Sequence, residues 1–469
     1  MNELNAISPI DGRYNKHTEE LSQYFSEKAL IKYRIMVEGE YLINLSELEG
    51  VGPRKFAEEE IKLIRDLAEI SDEDAEIVKK IELEGHEGIK ATNHDVKAVE
   101  YYMKMKLAKT SLSDSLEWVH FALTSEDTNN LAHALALTHS RELVIVPWLE
   151  KISAELENFA EQYAQTPMLS RTHGQPASPT TVGKEFKVFA HRIERQLTQL
   201  KNQKIQVKLN GATGNYNAHQ AAYPKVDWPV FTENFIAGLG VGPQSDRGPT
   251  PVRLELNPLT TQIEPHDSYA ELFDNLRRIN IILIDFAQDM WRYISDNWIV
   301  QKAVEGEVGS STMPHKINPI DFENAEGNLG LANSLFTFFS AKLPVSRLQR
   351  DLSDSTVERN FGVAFGHCLI AYKSLLKGLG KISVNEAKVK AGLEAHPEVV
   401  AEAIQTILRR EGVEMPYEKL KALTRGKEVS MSDIAAFIDS LEISDELKKE
   451  LKQITPSNYI GLASKLTQQ

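Results

Sequence analysis

A chain of 469 residues is longer than one compact core accommodates, so two or three domains are expected. Its composition, 42% hydrophobic and 26% charged, is that of an ordinary globular protein, and a formal net charge of −14 excludes a general binding surface for nucleic acid polymers or anionic membranes. The single cysteine, Cys368, excludes an internal disulfide framework; no leader pattern and no apolar run of membrane length occur, so a cytoplasmic chain without a membrane partner is expected.

An anionic ligand of so acidic a chain needs its own local cluster of arginine and lysine. The first segment, 1–112, opens with an irregular arm around Ser8-Pro-Ile-Asp-Gly-Arg-Tyr14, which leaves Arg13 and Tyr14 outside any helix. Helical patterns follow over 20–45, 57–70 and 94–109. In the last of these Val96, Val99 and Met103 mark one face, and Asn93 is placed to cap it. His94 sits where backbone donors at a helix start favour anions.

The second segment, 113–365, is patterned as very long helices. Residues 125–165 read as one helix kinked at Pro147. Val182, Phe186, Phe189, Ile193, Leu197 and Leu200 recur at spacings of four and three, as do Leu272, Leu276, Ile279, Leu283, Phe286, Met290, Ile294 and Trp298. Such stripes demand partner helices at shallow crossing angles. The second stripe predicts a helix over 266–303, about 38 residues and roughly 57 Å long, whose far end needs cover from other subunits. No stretch alternates with period two for long enough to build a large sheet. The fold class is therefore all-α, with a central bundle of very long helices; the third segment, 366–469, is helical and charge-rich.

Chemistry-bearing residues collect in the connections. Residues 168–176 place His173 between polar neighbours and a glycine, away from any apolar face. The glycine-rich run 209–216 lacks the Gly-Lys-Ser/Thr of a phosphate loop; lining a site and scaffolding a tight turn both suit it. The glycine- and proline-rich stretch 238–258 reads as a surface excursion. The run Gly306-Glu-Val-Gly-Ser-Ser-Thr-Met-Pro-His-Lys-Ile-Asn-Pro319 carries two hydroxyls (Ser310, Ser311), an imidazole (His315) and an ammonium (Lys316) between helix-breaking prolines. Backbone N–H groups near Gly309 suit an anion nest, to which Lys316 adds a full charge. The helix expected from Ile320 has acids in its first turn. There is no cysteine pair and no His-Glu-x-x-His, and His133 and His139 fall on different helix faces, so no metal is expected. No nucleophile elbow surrounds Ser310 and no dinucleotide fingerprint follows a strand, so no cofactor is expected either.

The run Gly309–Pro319 resembles the signature loop of the fumarase/aspartase superfamily, and His315 before Lys316 resembles its adenylosuccinate lyase family. Asp11-Gly-Arg-Tyr14, Thr92-Asn-His-Asp95, Thr124-Ser-Glu-Asp127, Arg171-Thr-His-Gly-Gln175, Thr261-Gln-Ile-Glu-Pro-His266 and Ser355-Thr-Val-Glu-Arg359 resemble that family's motifs in its order. The resemblance implies a three-domain fumarase/aspartase-like chain, here divided 1–112, 113–365 and 366–469. It further implies a homotetramer with shared active sites.

It also implies β-elimination of fumarate from adenylosuccinate to give AMP, and from succinyl-aminoimidazole-carboxamide ribotide (SAICAR) to give the free carboxamide. That chemistry needs a base, a stabilised carbanion and an acid for the departing nitrogen. His173 is expected as the acid, since an imidazole titrates near neutrality, with Glu323 holding the ring protonated. The resemblance makes Ser310 the base, a role that Lys316 and the loop's N–H groups must support by stabilising its alkoxide. Lys316, Ser311, Thr124 and Ser125 are expected at the succinyl carboxylates. Arg13, Tyr14, Arg350, Ser355 and Arg359 are expected at phosphate and ribose, and Asn93, His94, Asp95, Gln262 and Asn324 elsewhere on substrate. His266 and His315 receive no role. Two other readings stand beside this one. Another fumarate-releasing lyase such as argininosuccinate lyase is disfavoured by His315 and the Arg13/Arg359 pair. A catalytically silent structural member would have lost Ser310, His173 or Lys316, and all three are present.

Overall fold

The computed structural model describes residues 3–239, 254–302, 313, 315–424 and 429–468, without side chains for 422–424. Ser310, Ser311 and most of the 238–258 stretch lie outside the described residues. The chain divides into two compact units: 1–149 with 196–280 and 328–371, and 150–195 with 281–327 and 372–469. Helices dominate, and the described strands form three two-stranded sheets.

In the first unit, Glu27–Ser46 begins where Ser26 accepts a hydrogen bond from Ala29 N at 3.1 Å. That cap breaks the continuous helix expected over 20–45. Ile35, Leu42, Ile64, Val78, Val99 and Met103 close one apolar cluster. A second, aromatic core joins Phe273 to Phe336 (5.5 Å, stacked) and to Phe361 (5.1 Å). In the second unit Phe186 stacks on Phe159 at 4.9 Å and meets Phe286 edge-on at 6.0 Å. The two stripes predicted from sequence are buried as expected, apart from a half-buried Ile294.

Three further expected elements differ from the structure, each for a local reason. Helix Ser125–Ser140 passes through a π-turn, Arg141–Ile145, before Val146–Gln162. Pro147 has no N–H to offer, and the widened turn ahead of it bonds Val146 N to Arg141 O, five residues back. The helix expected over 266–303 is Asp267–Ser295, 29 residues and about 44 Å. It stops because Asn297 takes φ +58° while Trp298 N bonds Tyr293 O and Asn297 N bonds Ile294 O, a Schellman closure. Ile299–Gln301 then pairs antiparallel with Ile382–Val384. Finally, Pro167–Thr172 and Gln175–Thr181 form a β-hairpin where only a loop was expected.

Gly183, at the start of helix Val182–Asn202, lets that helix approach the end of Val146–Gln162. A Cβ there would lie 2.3 Å from Ala160 O and 2.6 Å from the Ala164 Cα. Backbone atoms cannot give way as a side chain does. Gly183→Ala is therefore expected to destabilise the fold by about 1–3 kcal/mol, read as a lower midpoint in urea with an unchanged slope.

Candidate active site

Helix Ser125–Ser140 starts at Thr124, whose N–H donates to Asp127 Oδ2 at 2.9 Å. Asp127 is fully buried, and Lys208, equally buried, lies 2.8 Å from its Oδ1. Asn210 N (3.1 Å) and Gly211 N (3.1 Å) also donate to this carboxylate. The Lys208 ammonium in turn donates to Gly211 O (3.0 Å) and Gln262 O (2.9 Å). One ion pair thus ties Thr124 and Ser125, the glycine-rich turn and the Gln262 loop into one frame. Gly214, at φ +79°, packs so closely that a Cβ would lie 2.3 Å from Thr260 O. The 209–216 run thus scaffolds a tight turn, one of the two roles expected of it.

Around that frame the first unit gathers several of the expected residues. Asn93, at φ +48°, leads into His94, which caps helix Asp95–Leu107 by accepting from Lys97 N at 3.4 Å. The helix is thus capped one residue later than expected. His94 Nε2 lies 3.3 Å from Ser125 Oγ. Asp95 is bridged by Arg34 (2.7 Å) and Arg359 (2.9 Å), and Arg359 also holds Glu27 at 2.9 Å. Burial opposes ionisation of Asp95, but Arg34, Val96 N–H and Arg359 outweigh it and hold the carboxyl down to about 2. Ser355 is half-buried and donates to Leu352 O at 3.1 Å. Arg350 pairs with Glu126 at 2.9 Å and Asp354 at 3.5 Å. Arg13 is exposed and Tyr14 half-buried in the opening arm.

In the second unit, His173 and Gly174 are the two turn residues of the hairpin, at φ +53° and +74°, between the paired Thr172 and Gln175. His173 is exposed, as are His315 and Lys316, whose N–H bonds Met313 O at 3.1 Å. Glu323, in the first turn of helix Ile320–Lys342, accepts from Trp291 Nε1 at 3.1 Å, and Asn324 beside it is half-buried. Among the described residues of one chain, no hydrogen bond or ion pair joins His173 to Glu323. Sequence reasoning missed Arg34, Glu27 and Lys208. Their partners lie far away in sequence, 61, 332 and 81 residues respectively, so no local spacing announces them.

The family model described as Lyase matches residues 12–332, and that described as Adenylosuccinate lyase C-terminal matches 346–460. The chain is 52% identical to the adenylosuccinate lyase of Dictyostelium discoideum, covering 98% of this chain and 97% of that one. It is 50% identical to that of Escherichia coli K12, over 99% and 98%. The chain belongs to the adenylosuccinate lyase family. The wider fold is shared with a 3-carboxy-cis,cis-muconate lactonizing enzyme from Pseudomonas putida, at TM-score 0.72 and 18% identity over 97% of both chains. A fumarate lyase from Mesorhizobium sp. BNC1 also shares it, at 0.72 and 17% over 96% of both. As a member of this family the chain is a lyase.

Two outcomes follow for this frame. Lys208→Met leaves the Asp127 carboxylate buried without its counter-charge and is expected to cost about 3–5 kcal/mol, measured by urea unfolding at neutral pH. Asp95 has a folded pKa below its usual value, so its contribution is full above about pH 4 and fades as pH falls towards 2. The stability lost in Asp95→Asn is therefore expected to be constant from pH 5 to 7 and to shrink below pH 4.

Proposed function

We propose that this chain cleaves adenylosuccinate to AMP and fumarate by β-elimination, and SAICAR to its carboxamide and fumarate, in purine nucleotide biosynthesis. What carries the reading is identity of about one residue in two, over nearly the whole length, with curated relatives of that name. Ser310, as an alkoxide stabilised by the loop N–H groups and Lys316, removes a proton from the carbon beside a succinyl carboxylate. Lys316, Ser311, Thr124 and Ser125 hold the carboxylates where negative charge builds, and His173 gives its proton to the departing nitrogen. Glu323 keeps that imidazole charged. Arg13, Tyr14, Arg350, Ser355 and Arg359 receive phosphate and ribose, while Asn93, His94, Asp95, Gln262 and Asn324 complete the substrate contacts. Proton transfer and anion binding account for the whole reaction as read.

The active form in this proposal is a homotetramer in the cytoplasm whose sites draw on more than one chain. Exposed apolar side chains support it: Ile281 (46%) and Trp291 (46%) on helix Asp267–Ser295, and Leu331 (53%) and Phe338 (52%) on Ile320–Lys342. So does the absence of a His173–Glu323 contact among the described residues of one chain. No described helix is long and apolar enough to cross a membrane. The division into 1–112, 113–365 and 366–469 belongs to the same proposal; a separate family model for the C-terminal part supports a distinct last module, beginning earlier, at 346.

Refolding an equal mixture of two inactive variants, Ser310→Ala and His173→Ala, tests the reading. If a site takes its serine and histidine from different chains, random assembly gives about one intact site in four. Fumarate release from adenylosuccinate is then expected near a quarter of the wild-type rate. Mixed tetramers that stay as inactive as either variant place both residues in one chain, and a wild-type chain that releases no fumarate from adenylosuccinate overturns the activity itself.

A further inference from the structure

The first unit buries a knot of ionisable side chains that the proposed chemistry does not use. Glu126 (1% exposed), His266 (0%), Asp354 (3%) and Glu358 (4%) are sealed from solvent. His266 Nε2 lies 3.4 Å from Glu358 Oε1, and His133 Nε2 lies 3.7 Å from Glu358 Oε2. Arg350 reaches into the knot with Nη2 2.9 Å from Glu126 Oε2 and Nε 3.5 Å from Asp354 Oδ2, yet 16% of its side chain stays exposed. Glu126 Oε1, Arg350 Nε, Asp354 Oδ2, Glu358 Oε1 and both ring nitrogens of His266 have no hydrogen-bond partner among the described residues. So many unmatched buried polar atoms in one place mark a site that gives up stability for function.

The charges do not balance on their own. Burial pushes the Glu126 carboxyl up to about 7, with Glu358 and Asp354 adding to the rise and Arg350 and His266 opposing it. Glu358 is held down, against its burial, by His133, His266 and Arg350, and His266 is raised, against its burial, by Glu358. Burial keeps His133 low. Glu358 and His266 therefore offset each other's charge without a hydrogen bond between them, and Glu126 and Asp354 are left to share the one guanidinium of Arg350. The groups facing Glu126 are Asp354 and Glu358 from helix Ser353–Glu358, Arg350 from the loop before it and His266 from the turn before Asp267–Ser295. On its own helix Asn129 donates to Glu126 Oε2 at 3.5 Å. Asn129 also accepts from Arg34 at 2.9 Å, which links the knot to Asp95 and Arg359.

We propose that Glu126 takes up one proton from solvent when a phosphate dianion binds Arg350, and releases it when the phosphate leaves. This rests on the reading of Arg350 as a phosphate ligand. A dianion at the exposed side of Arg350 competes for the guanidinium and adds negative charge nearby. Both effects disfavour the Glu126 carboxylate, and the acid form relieves them. No other bond changes. Glu126 is a positioning residue: it fixes Arg350 in the empty site and yields it to the ligand.

Calorimetric titration of AMP into the whole protein at pH 8, in buffers of different ionisation enthalpy, counts the protons exchanged. The nucleotide phosphate is fully ionised at that pH, its second pKa being about 6. The wild type is expected to take up about half a proton or more per AMP, and its affinity to fall several-fold from pH 7 to 8.5. Glu126→Gln is expected to bind AMP with uptake near zero and little pH dependence. Adenosine, which lacks the phosphate, is expected to bind the wild type without uptake, a control that needs no variant to fold. AMP binding without uptake overturns the coupling and leaves the nucleotide reading standing. Equal uptake by Glu126→Gln, or with adenosine, also overturns it. AMP that does not bind at all overturns the nucleotide reading and the coupling with it.

Discussion

A charge pair sealed from water, Asp127 with Lys208, is the constraint on which the first unit's candidate site depends. A buried ion pair is a poor source of stability, because desolvation of both partners offsets most of their attraction. Its value lies in direction. The Asp127 carboxylate pairs with the Lys208 ammonium and accepts from the backbone N–H groups of Thr124, Asn210 and Gly211. The ammonium spends its remaining donors on Gly211 O and Gln262 O. Three segments far apart in sequence can satisfy these groups in only one relative placement. Ser125 and Gln262 inherit their positions from that placement.

Three arginines of the first unit stand in carboxylate pairs. Each is already paired: Arg34 with Asp95, Arg359 with Asp95 and Glu27, Arg350 with Glu126 and Asp354. Pairing orders long side chains before any ligand arrives, which lowers the entropy lost on binding. It also sets a threshold, since the ligand must compete with carboxylates already in place. A phosphate dianion carries more charge and more acceptor oxygens than a carboxylate, so it would compete better than a monoanion for such a guanidinium.

The stripe over 182–200 and the one over 272–298 could be read from sequence because burial at helical spacing leaves a periodic trace. What ends those helices does not. Asn297 stops one by adopting a left-handed conformation, and Ser26 starts another by a single side-chain bond, and one residue in a long pattern is a weak signal. The hairpin around His173 was hidden by its own composition, since Pro176 and Pro179 interrupt any alternation. Among the candidate residues of each unit, short motifs exposed those that touch solvent, such as His94 in the first and His173 and Lys316 in the second. Lys208 and Arg34 were invisible because their importance lies in partners on other elements. The Ser310 loop carried the strongest motif, yet Ser310 and Ser311 themselves lie outside the described residues.

His173 brings the argument to its last step. A two-residue hairpin turn with both residues at positive φ favours Asn-Gly, because asparagine tolerates that conformation better than most side chains. This chain places histidine at φ +53° in the first position, exposed, with Arg171 Nη1 bonded to Gly174 O at 3.2 Å across the turn. The turn itself has no use for an imidazole, although histidine, like asparagine, enters this conformation more readily than most side chains. An exposed histidine at the tip of a hairpin stands on a backbone fixed by the paired strands on either side. If His173 is the proton donor proposed above, this placement presents the ring outward from its own hairpin rather than to the fold beneath it.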